Sequence, residues 1–513
     1  MKKIFLFIIV LAGMHVYAQN PQAKTANGIL QGVTGASGVV SYKGIPFAQP
    51  PVGNLRWKEP QAPLNWKGIR EANHFGPRAM QRVIYSDMMF RSNGKSEDCL
   101  YLNVWTPAKS TNQKLAVLVY FYGGGFGAGD GSEYRYDGEA LAKKGIIMVT
   151  VNYRLGIFGF LAHPELAAES AHHSSGNYGL MDQHAALVWV KKNIAAFGGD
   201  PDKVTIGGES AGSMSVCAQM ASPLSKDLFR GAIGESGSSL GNWSPTPLAD
   251  AEQIGVKFAV SIGARSLTDL RKLPADSLLK MSAREDFPIT VDGYFLPESP
   301  QAIFNAGKQM DIPLLAGWNS AESGPDGVLG RLDPTLDNYK SSIQKLYGDR
   351  ASDILNVYAP VTDADVAQAA TDLATDRFAY GTWKFIDLQT KTHNKPVYRY
   401  FFTRKRPVMV SAAAGTVDRS MGAAHASEIE FALGNLSTNK VYAWTSDDYK
   451  ISETMQNYFA DFVKTSNPNG PGLPVWESLK NDNTRVMIFK ENSKSQPDVN
   501  AKRYMVMDSF FNK

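Results

Sequence analysis

Cysteine is nearly missing from this 513-residue chain, which has only Cys99 and Cys217. Two thiols with no histidine at ligand spacing make no metal site and close one disulfide at most. Pairing is open to an exported protein. However, Cys217 falls two turns into a helical segment, where a small buried thiol is expected. An excess of charge is lacking too, since 53 Lys and Arg face 49 Asp and Glu for a net charge of +4. That balance gives no reason to expect nucleic acid or an acidic membrane surface as a partner. Internal repeats and low-complexity tracts are absent. After the first residues no apolar run reaches the roughly 20 residues that span a bilayer.

The start of the chain is different. Lys2 and Lys3 precede the apolar run Ile4 to Ala12, and Val16-Tyr17-Ala18 ends in a small residue. This pattern predicts a cleavable secretory signal over residues 1–18, with an uncleaved anchor as the alternative. No cysteine follows the apolar run, so a lipid-anchored start is not expected. Without Lys2 and Lys3 the chain keeps 51 basic residues against 49 acidic ones. The expectation is a secreted or periplasmic protein with no stable membrane anchor.

From residue 19 to 513 the chain reads as one large α/β domain with insertions. Apolar β-type runs at Leu115 to Tyr122, Ile146 to Tyr153 and Val204 to Ile206 alternate with helix-period segments. Leu187, Val190, Ile194 and Phe197 recur at spacings of three and four, which marks one helix face. Strands alternating with helices imply a mainly parallel central sheet with helices on both faces. Ile312 to Ala316 and Val397 to Phe402 read as later strands of that sheet. The stretches Pro245 to Pro297 and Pro334 to Thr382 read as mostly helical insertions that roof it. A helix is expected from Ser452 to Lys464, stopped by the Pro/Gly-rich turn at 467–472.

One short segment carries chemistry. Gly208-Glu209-Ser210-Ala211-Gly212 follows the run Val204 to Ile206 and precedes a helical stretch. A strand turning abruptly into a helix exposes its middle residue, and flanking glycines leave room for the turn and for a substrate. A serine there is a candidate nucleophile, but its hydroxyl needs a base. Of the eight histidines, only His393 and His425 follow Ser210, where the order nucleophile, acid, base puts the base. His393 sits in a polar connection entering a strand, the wrong end of a parallel sheet for catalysis. His425 lies in a loop after a strand, among small residues that permit close approach. Glu322 is the first carboxylate after the run Ile312 to Ala316, which makes it the candidate acid, with Asp326 the nearby competitor. Gly123-Gly124-Gly125-Phe126 directly follows the strand at Leu115. The N–H groups of Gly124 and Gly125, with that of Ala211, are the candidate oxyanion hole.

With these residues in place the chain resembles the type-B carboxylesterases, the family that also holds the cholinesterases and bacterial p-nitrobenzyl-type esterases. The likeness runs from about Asn27 to Phe489. It rests on Phe197-Gly198-Gly199-Asp200-Pro201 leading into the Ser210 turn, on Glu97-Asp98-Cys99-Leu100-Tyr101-Leu102-Asn103-Val104, and on Gly44-Ile45-Pro46-Phe47-Ala48. Asn152-Tyr153-Arg154-Leu155-Gly156 and Asn177-Tyr178-Gly179-Leu180-Met181-Asp182-Gln183 agree as well. The resemblance implies an α/β-hydrolase fold, hydrolysis of a small-molecule ester without cofactor or metal, and a triad of Ser210, Glu322 and His425. It also implies that Ser236 supports the acid and that Glu209 interacts with the cationic histidine.

Three departures from the family pattern stand out. Phe75-Gly76-Pro77-Arg78-Ala79 lacks the cysteine that often pairs with the one matching Cys99, so the loop from Met80 to Lys95 is expected to be more mobile. That loop lacks the tryptophan with which cholinesterases bind a quaternary ammonium. It offers Met88, Met89 and Phe90 instead, suited to a small or medium uncharged, apolar group. The acid motif reads Ala321-Glu322-Ser323-Gly324 where the family usually has Asp-Glu-Gly, which puts the surroundings of Glu322 in question. Two rival functions stay open: an adhesion-type binding protein that keeps the fold, and an acyltransferase that resolves the acyl-enzyme with an alcohol.

Overall fold

The computed structural model describes residues 21–413, 420–479 and 484–511. The expected signal at residues 1–18 lies outside the described residues. Eleven strands join in one sheet: β1 (Val33–Thr34), β2 (Val40–Pro46), β3 (Tyr101–Thr106), β4 (Leu115–Phe121), β5 (Ile147–Val151), β6 (Gly199–Glu209), β7 (Gly231–Glu235), β8 (Leu314–Asn319), β9 (Val397–Phe402), β10 (Arg485–Phe489) and β11 (Lys494–Pro497). Their spatial order is β1-β2-β3-β5-β4-β6-β7-β8-β9-β10-β11. From β5 to β10 all neighbours are parallel. Antiparallel pairs complete both edges.

Composition explains this arrangement. β4 and β5 are almost unbroken apolar runs and are buried along nearly their whole length, as strands covered on both faces must be. The covering helices include α1 (Tyr178–Asn193), α2 (Ala211–Ala221), α3 (Asp363–Thr392) and α4 (Ser446–Thr465). α2 packs on β4, β6 and β7, while α3 packs on β8 and β9. A short helix α5 (Ala501–Phe511) lies against α3. This is the α/β-hydrolase arrangement.

Element boundaries differ from the sequence reading for identifiable reasons. β6 extends beyond Ile206 through Gly207 and Gly208, because pairing with β4 and β7 on both sides outweighs the weak strand preference of glycine. β8 begins after Pro313, which has no N–H for the ladder, and runs on to Asn319. The apolar face at Leu187 continues past α1 as a tight turn over Ile194–Phe197, ended by Gly198 at φ 82°. α3 passes Thr382 by ten residues; its start is fixed by a reciprocal cap between Thr362 and Asp365.

The parallel strands set the address of the chemistry. The glycine run follows β4, Ser210 follows β6, Ser236 follows β7, Glu322 follows β8 and His425 lies in the connection after β9. All leave the carboxyl ends of adjacent strands, so they meet over one edge of the sheet.

Candidate active site

Ser210 stands at the join of β6 and α2 with φ 55° and ψ −120°. That conformation costs a non-glycine residue about 1–3 kcal/mol, and neighbouring bonds hold it. Ser210 N–H donates to the Glu235 carbonyl at 2.8 Å, and Met214 N–H donates to the Ser210 carbonyl at 2.9 Å. The flanking glycines are required sterically. A methyl group on Gly208 would lie 2.5 Å from the Gly212 carbonyl carbon and 2.7 Å from the Phe121 oxygen, and one on Gly212 would collide with that same oxygen. The Ser210 side chain makes no capping bond to the helix it precedes, so the hydroxyl is available.

The glycine run after β4 lies beside this turn. Gly124 has φ 115° and Gly125 φ 61°, and a methyl group on Gly124 would strike the Ala128 carbonyl. Gly123 lies against the nucleophile itself, since a methyl group there would sit 3.1 Å from Ser210 Cβ. Ala211 is the first residue of α2, and first-turn amides have no acceptor within their own helix. Two backbone segments thus come together, one carrying Gly124 and Gly125 and the other Ala211.

Glu322 and His425 meet directly, with Nδ1 of the ring 2.6 Å from Glu322 Oε2. Their loops are joined by a parallel bridge between Ala321 and Ala424. Ala321 N–H donates to the Ala423 carbonyl at 2.8 Å, and Ala423 N–H donates to Ser320 Oγ at 2.9 Å. Small residues allow this approach, since a methyl group on Gly422 would lie 2.5 Å from Ser320 Oγ. The competitor Asp326 opens a separate short helix. His393 lies at the other end of β9, with Nε2 3.1 Å from the Gln309 carbonyl.

The departure at Ser323 does not leave the acid unsupported. Glu322 Oε1 accepts from Asn319 N–H at 2.6 Å and from Ser236 Oγ at 2.6 Å. Glu428, fully buried, lies 2.9 Å from the same Ser236 hydroxyl and accepts from Asn319 Nδ2 at 2.6 Å. One hydroxyl proton cannot serve both carboxyls. Burial, reinforced by the Glu322 charge, raises Glu428 above the usual carboxylate range. Burial thus favours the protonated form of Glu428, in which it can donate to Ser236 Oγ while Ser236 donates to Glu322.

Glu209 completes the cluster. Its Oε1 is 3.2 Å from His425 Nε2, close enough to interact by charge but not aligned as a hydrogen bond. Burial raises Glu209, with Glu428 and Glu322 adding to the effect and His425 opposing it. For His425 burial works against the charged ring, but Glu209 and Glu322 outweigh it and hold the imidazole above its ordinary value. The pocket therefore favours a ring that has gained a proton. Among the described residues no hydrogen bond joins Ser210 Oγ to His425 Nε2. The two are brought together through Glu209, which precedes Ser210 in the chain. Catalytic hydrogen bonds of this type can be long in apo structures and tighten when substrate binds.

Four contributors escaped the sequence reading. Glu428, Asn319 and Glu235 are buried polar residues of the cluster, and Phe378 on α3 meets the His425 ring edge-on at 4.8 Å. Glu428 alone left a local signal, a carboxylate three residues beyond the candidate base. Of the loop residues, Met88 reaches the site, with its methyl carbon 3.1 Å from where a methyl group on Gly124 would sit. Phe90 instead faces the Arg78 guanidinium at 5.2 Å, and Met89 is exposed. The loop is anchored without a disulfide. Arg91 N–H donates to Ser132 Oγ at 3.0 Å, Arg91 Nη1 to Asp137 at 2.6 Å, and Gln81 Nε2 to the Gly129 carbonyl at 2.7 Å. Cys99 and Cys217 are both free and buried, and burial pushes both thiols up.

A cavity of about 550 Å³ opens beside the glycine run, walled by Phe126, Ile157, Met214, Trp243, Phe287 and Ile289. The model of the carboxylesterase family matches residues 19–507. The chain is 35% identical over 488 residues to a fumonisin B1 esterase of Sphingopyxis macrogoltabida, covering 92% of this chain and 87% of that one. It is 34% identical to the para-nitrobenzyl esterase of Bacillus subtilis, covering 91% of this chain and 94% of the relative. A crystal structure of a Geobacillus stearothermophilus carboxylesterase superposes with a TM-score of 0.81 at 31% identity, covering 94% and 99% of the two chains. Fold, family model and relatives agree: the chain belongs to the carboxylesterase family and is a carboxylic ester hydrolase.

Proposed function

We propose that the enzyme cleaves small to medium uncharged, apolar esters through an acyl-enzyme on Ser210. His425 takes the proton of Ser210 as the hydroxyl attacks the ester carbonyl. Glu322 keeps the ring in the tautomer with hydrogen on Nδ1 and stabilises the imidazolium that forms. N–H groups of Gly124, Gly125 and Ala211 hold the oxyanion. His425 then gives its proton to the leaving alcohol, and a water activated by the same ring releases the acid. Ser236 and Glu428 steady Glu322 throughout.

The observation that supports this reading most is the 2.6 Å contact between His425 Nδ1 and Glu322, at one sheet edge with the strained Ser210 turn. Met214, Trp243 and Phe287 line part of the 550 Å³ cavity, beside Arg82, Glu285 and Asp286, and give an uncharged acyl group a surface to pack on. Residues 1–18 are proposed to direct export. The test is Ser210→Ala, assayed with p-nitrophenyl butyrate and with a fluorophosphonate probe. Turnover and labelling are expected to vanish while the circular dichroism melt is retained; a variant that keeps the parent rate refutes the nucleophile.

A further inference from the structure

A second cavity, of about 420 Å³, shares no residue with the catalytic cluster. It lies between one face of α1 and the segment from Glu59 to Pro63. Its size falls within the roughly 300–1,000 Å³ of small-molecule sites. Met181, Ala185 and Val188 recur along the helix, and with Phe47 and Leu224 they give it an apolar wall. Val188 stays 45% exposed, so the helix leaves apolar surface uncovered there. Most polar groups of the wall are engaged elsewhere. Asn27 Nδ2 donates to the Pro63 carbonyl, Gln61 Nε2 to the Glu59 carbonyl and Asn193 Nδ2 to the Trp189 carbonyl. Glu59 turns its carboxylate to Ser170 and His172, the Trp189 indole nitrogen is covered, and Lys192 is exposed.

His184 differs, because buried neighbours fix the direction of its hydrogen bonds. Gln219 Nε2 donates to the Leu180 carbonyl at 2.9 Å, which leaves Gln219 Oε1 as an acceptor. Ser225 Oγ, 2.5 Å away, gives that oxygen its one hydroxyl proton. His184 Nδ1 stands 3.1 Å from the same Ser225 oxygen, so Nδ1 carries the ring hydrogen and donates it. Ser225 and Gln219 are fully buried, so this edge of the ring faces the interior. The opposite edge, with Nε2, faces the cavity that His184 lines. Burial holds the ring below its ordinary value, which leaves Nε2 a bare lone pair at neutral pH. Among the described residues Nε2 has no partner.

We propose that this cavity is a second binding site, for an uncharged apolar molecule whose hydroxyl group donates to His184 Nε2. Phenols and medium-chain alcohols have this chemistry. Their carbon body packs on Met181, Ala185 and Val188, and the hydroxyl meets an acceptor that is already oriented. A carboxylate brings no proton to that lone pair and meets Glu59 as well. One neutral hydrogen bond is worth about 3- to 10-fold in affinity.

The experiment is isothermal titration calorimetry with 4-propylphenol and its methyl ether, 4-propylanisole, on the parent and on His184→Phe. The parent is expected to bind the phenol about 3- to 10-fold more tightly than the ether, and His184→Phe to lose that preference. Ala185→Trp, which fills the cavity, is expected to abolish this binding. Both variants are expected to keep the parent rate on p-nitrophenyl butyrate, which shows that they are folded. A phenol that does not bind, a phenol-to-ether ratio unchanged by His184→Phe, or binding that persists in folded Ala185→Trp overturns the proposal. The unchanged ratio is the result for a phenol held only beside Ser210. Should either variant fail to fold, the other decides.

Discussion

Gly123 lets the position of the nucleophile be tested by steric pressure alone. Its φ is not among the positive ones, so alanine suits the backbone there and the perturbation is purely one of space. The added methyl group would lie 2.6 Å from both the Glu209 carbonyl oxygen and Glu209 Oε2, and 3.1 Å from Ser210 Cβ. Ordinary contact begins at 3.4 Å, so about 0.8 Å must be recovered. The Glu209 carboxyl can swing away, but its carbonyl belongs to β6, which pairs on both sides. The shift is therefore transmitted to Ser210, the next residue. A misplacement of about 1 Å costs roughly 10²-fold in rate, while overpacking costs about 1–3 kcal/mol in stability. Gly123→Ala is thus expected to fold, to melt somewhat earlier, and to lose about 10²-fold in kcat/KM on p-nitrophenyl butyrate. A folded variant within threefold of the parent would refute the argument that the β4 loop sets the place of Ser210.

Two further outcomes follow from the cluster. Glu322→Gln keeps the shape but loses the charge beside Nδ1, and the amide can present N–H where an acceptor is needed. A drop of about 10⁴-fold in kcat is expected, and a loss under tenfold in a single-turnover assay would show that Glu322 does not control the tautomer. Glu209→Gln removes a carboxyl that raises His425. The ring then gives up its proton more readily, its basic form appears at lower pH, and the acid limb of the kcat/KM–pH profile moves downward. A limb that stays or moves upward contradicts the assigned coupling.

Much of this site was readable in the chain. Ser210, Glu322 and His425 each follow an apolar run, and a parallel sheet turns that order along the chain into nearness in space. Val397 to Phe402 was read with its observed bounds because β-branched and aromatic residues fill it between polar flanks. Other features depend on contacts that have no local signature. Phe378 meets His425 only because α3 is long enough to bring it there. Asn319 and Glu428 become partners only once β8 and β9 lie side by side. Within the loop, Met88, Met89 and Phe90 are equivalent in sequence, and irregular backbone gives no period by which to tell which of them faces the glycines. The strand beneath Ser210 was read short because glycines end a propensity argument but not a ladder paired on both sides.

The bridge between Ala321 and Ala424 has a consequence for how such a protein can change. Acid and base are fastened to each other by a few small residues at the ends of neighbouring strands, so the pair behaves as one rigid part. The connection from β8 to β9 leaves that part after Glu322, touches it at Phe378 and rejoins the sheet at Val397, the opposite end of β9. The part of that connection before α3 can therefore be lengthened, trimmed or resurfaced without disturbing the proton-transfer pair, whereas α3 itself is packed on β8 and β9. New ester shapes are then reached by changing the roof, while the hydrolytic step beneath it is inherited intact.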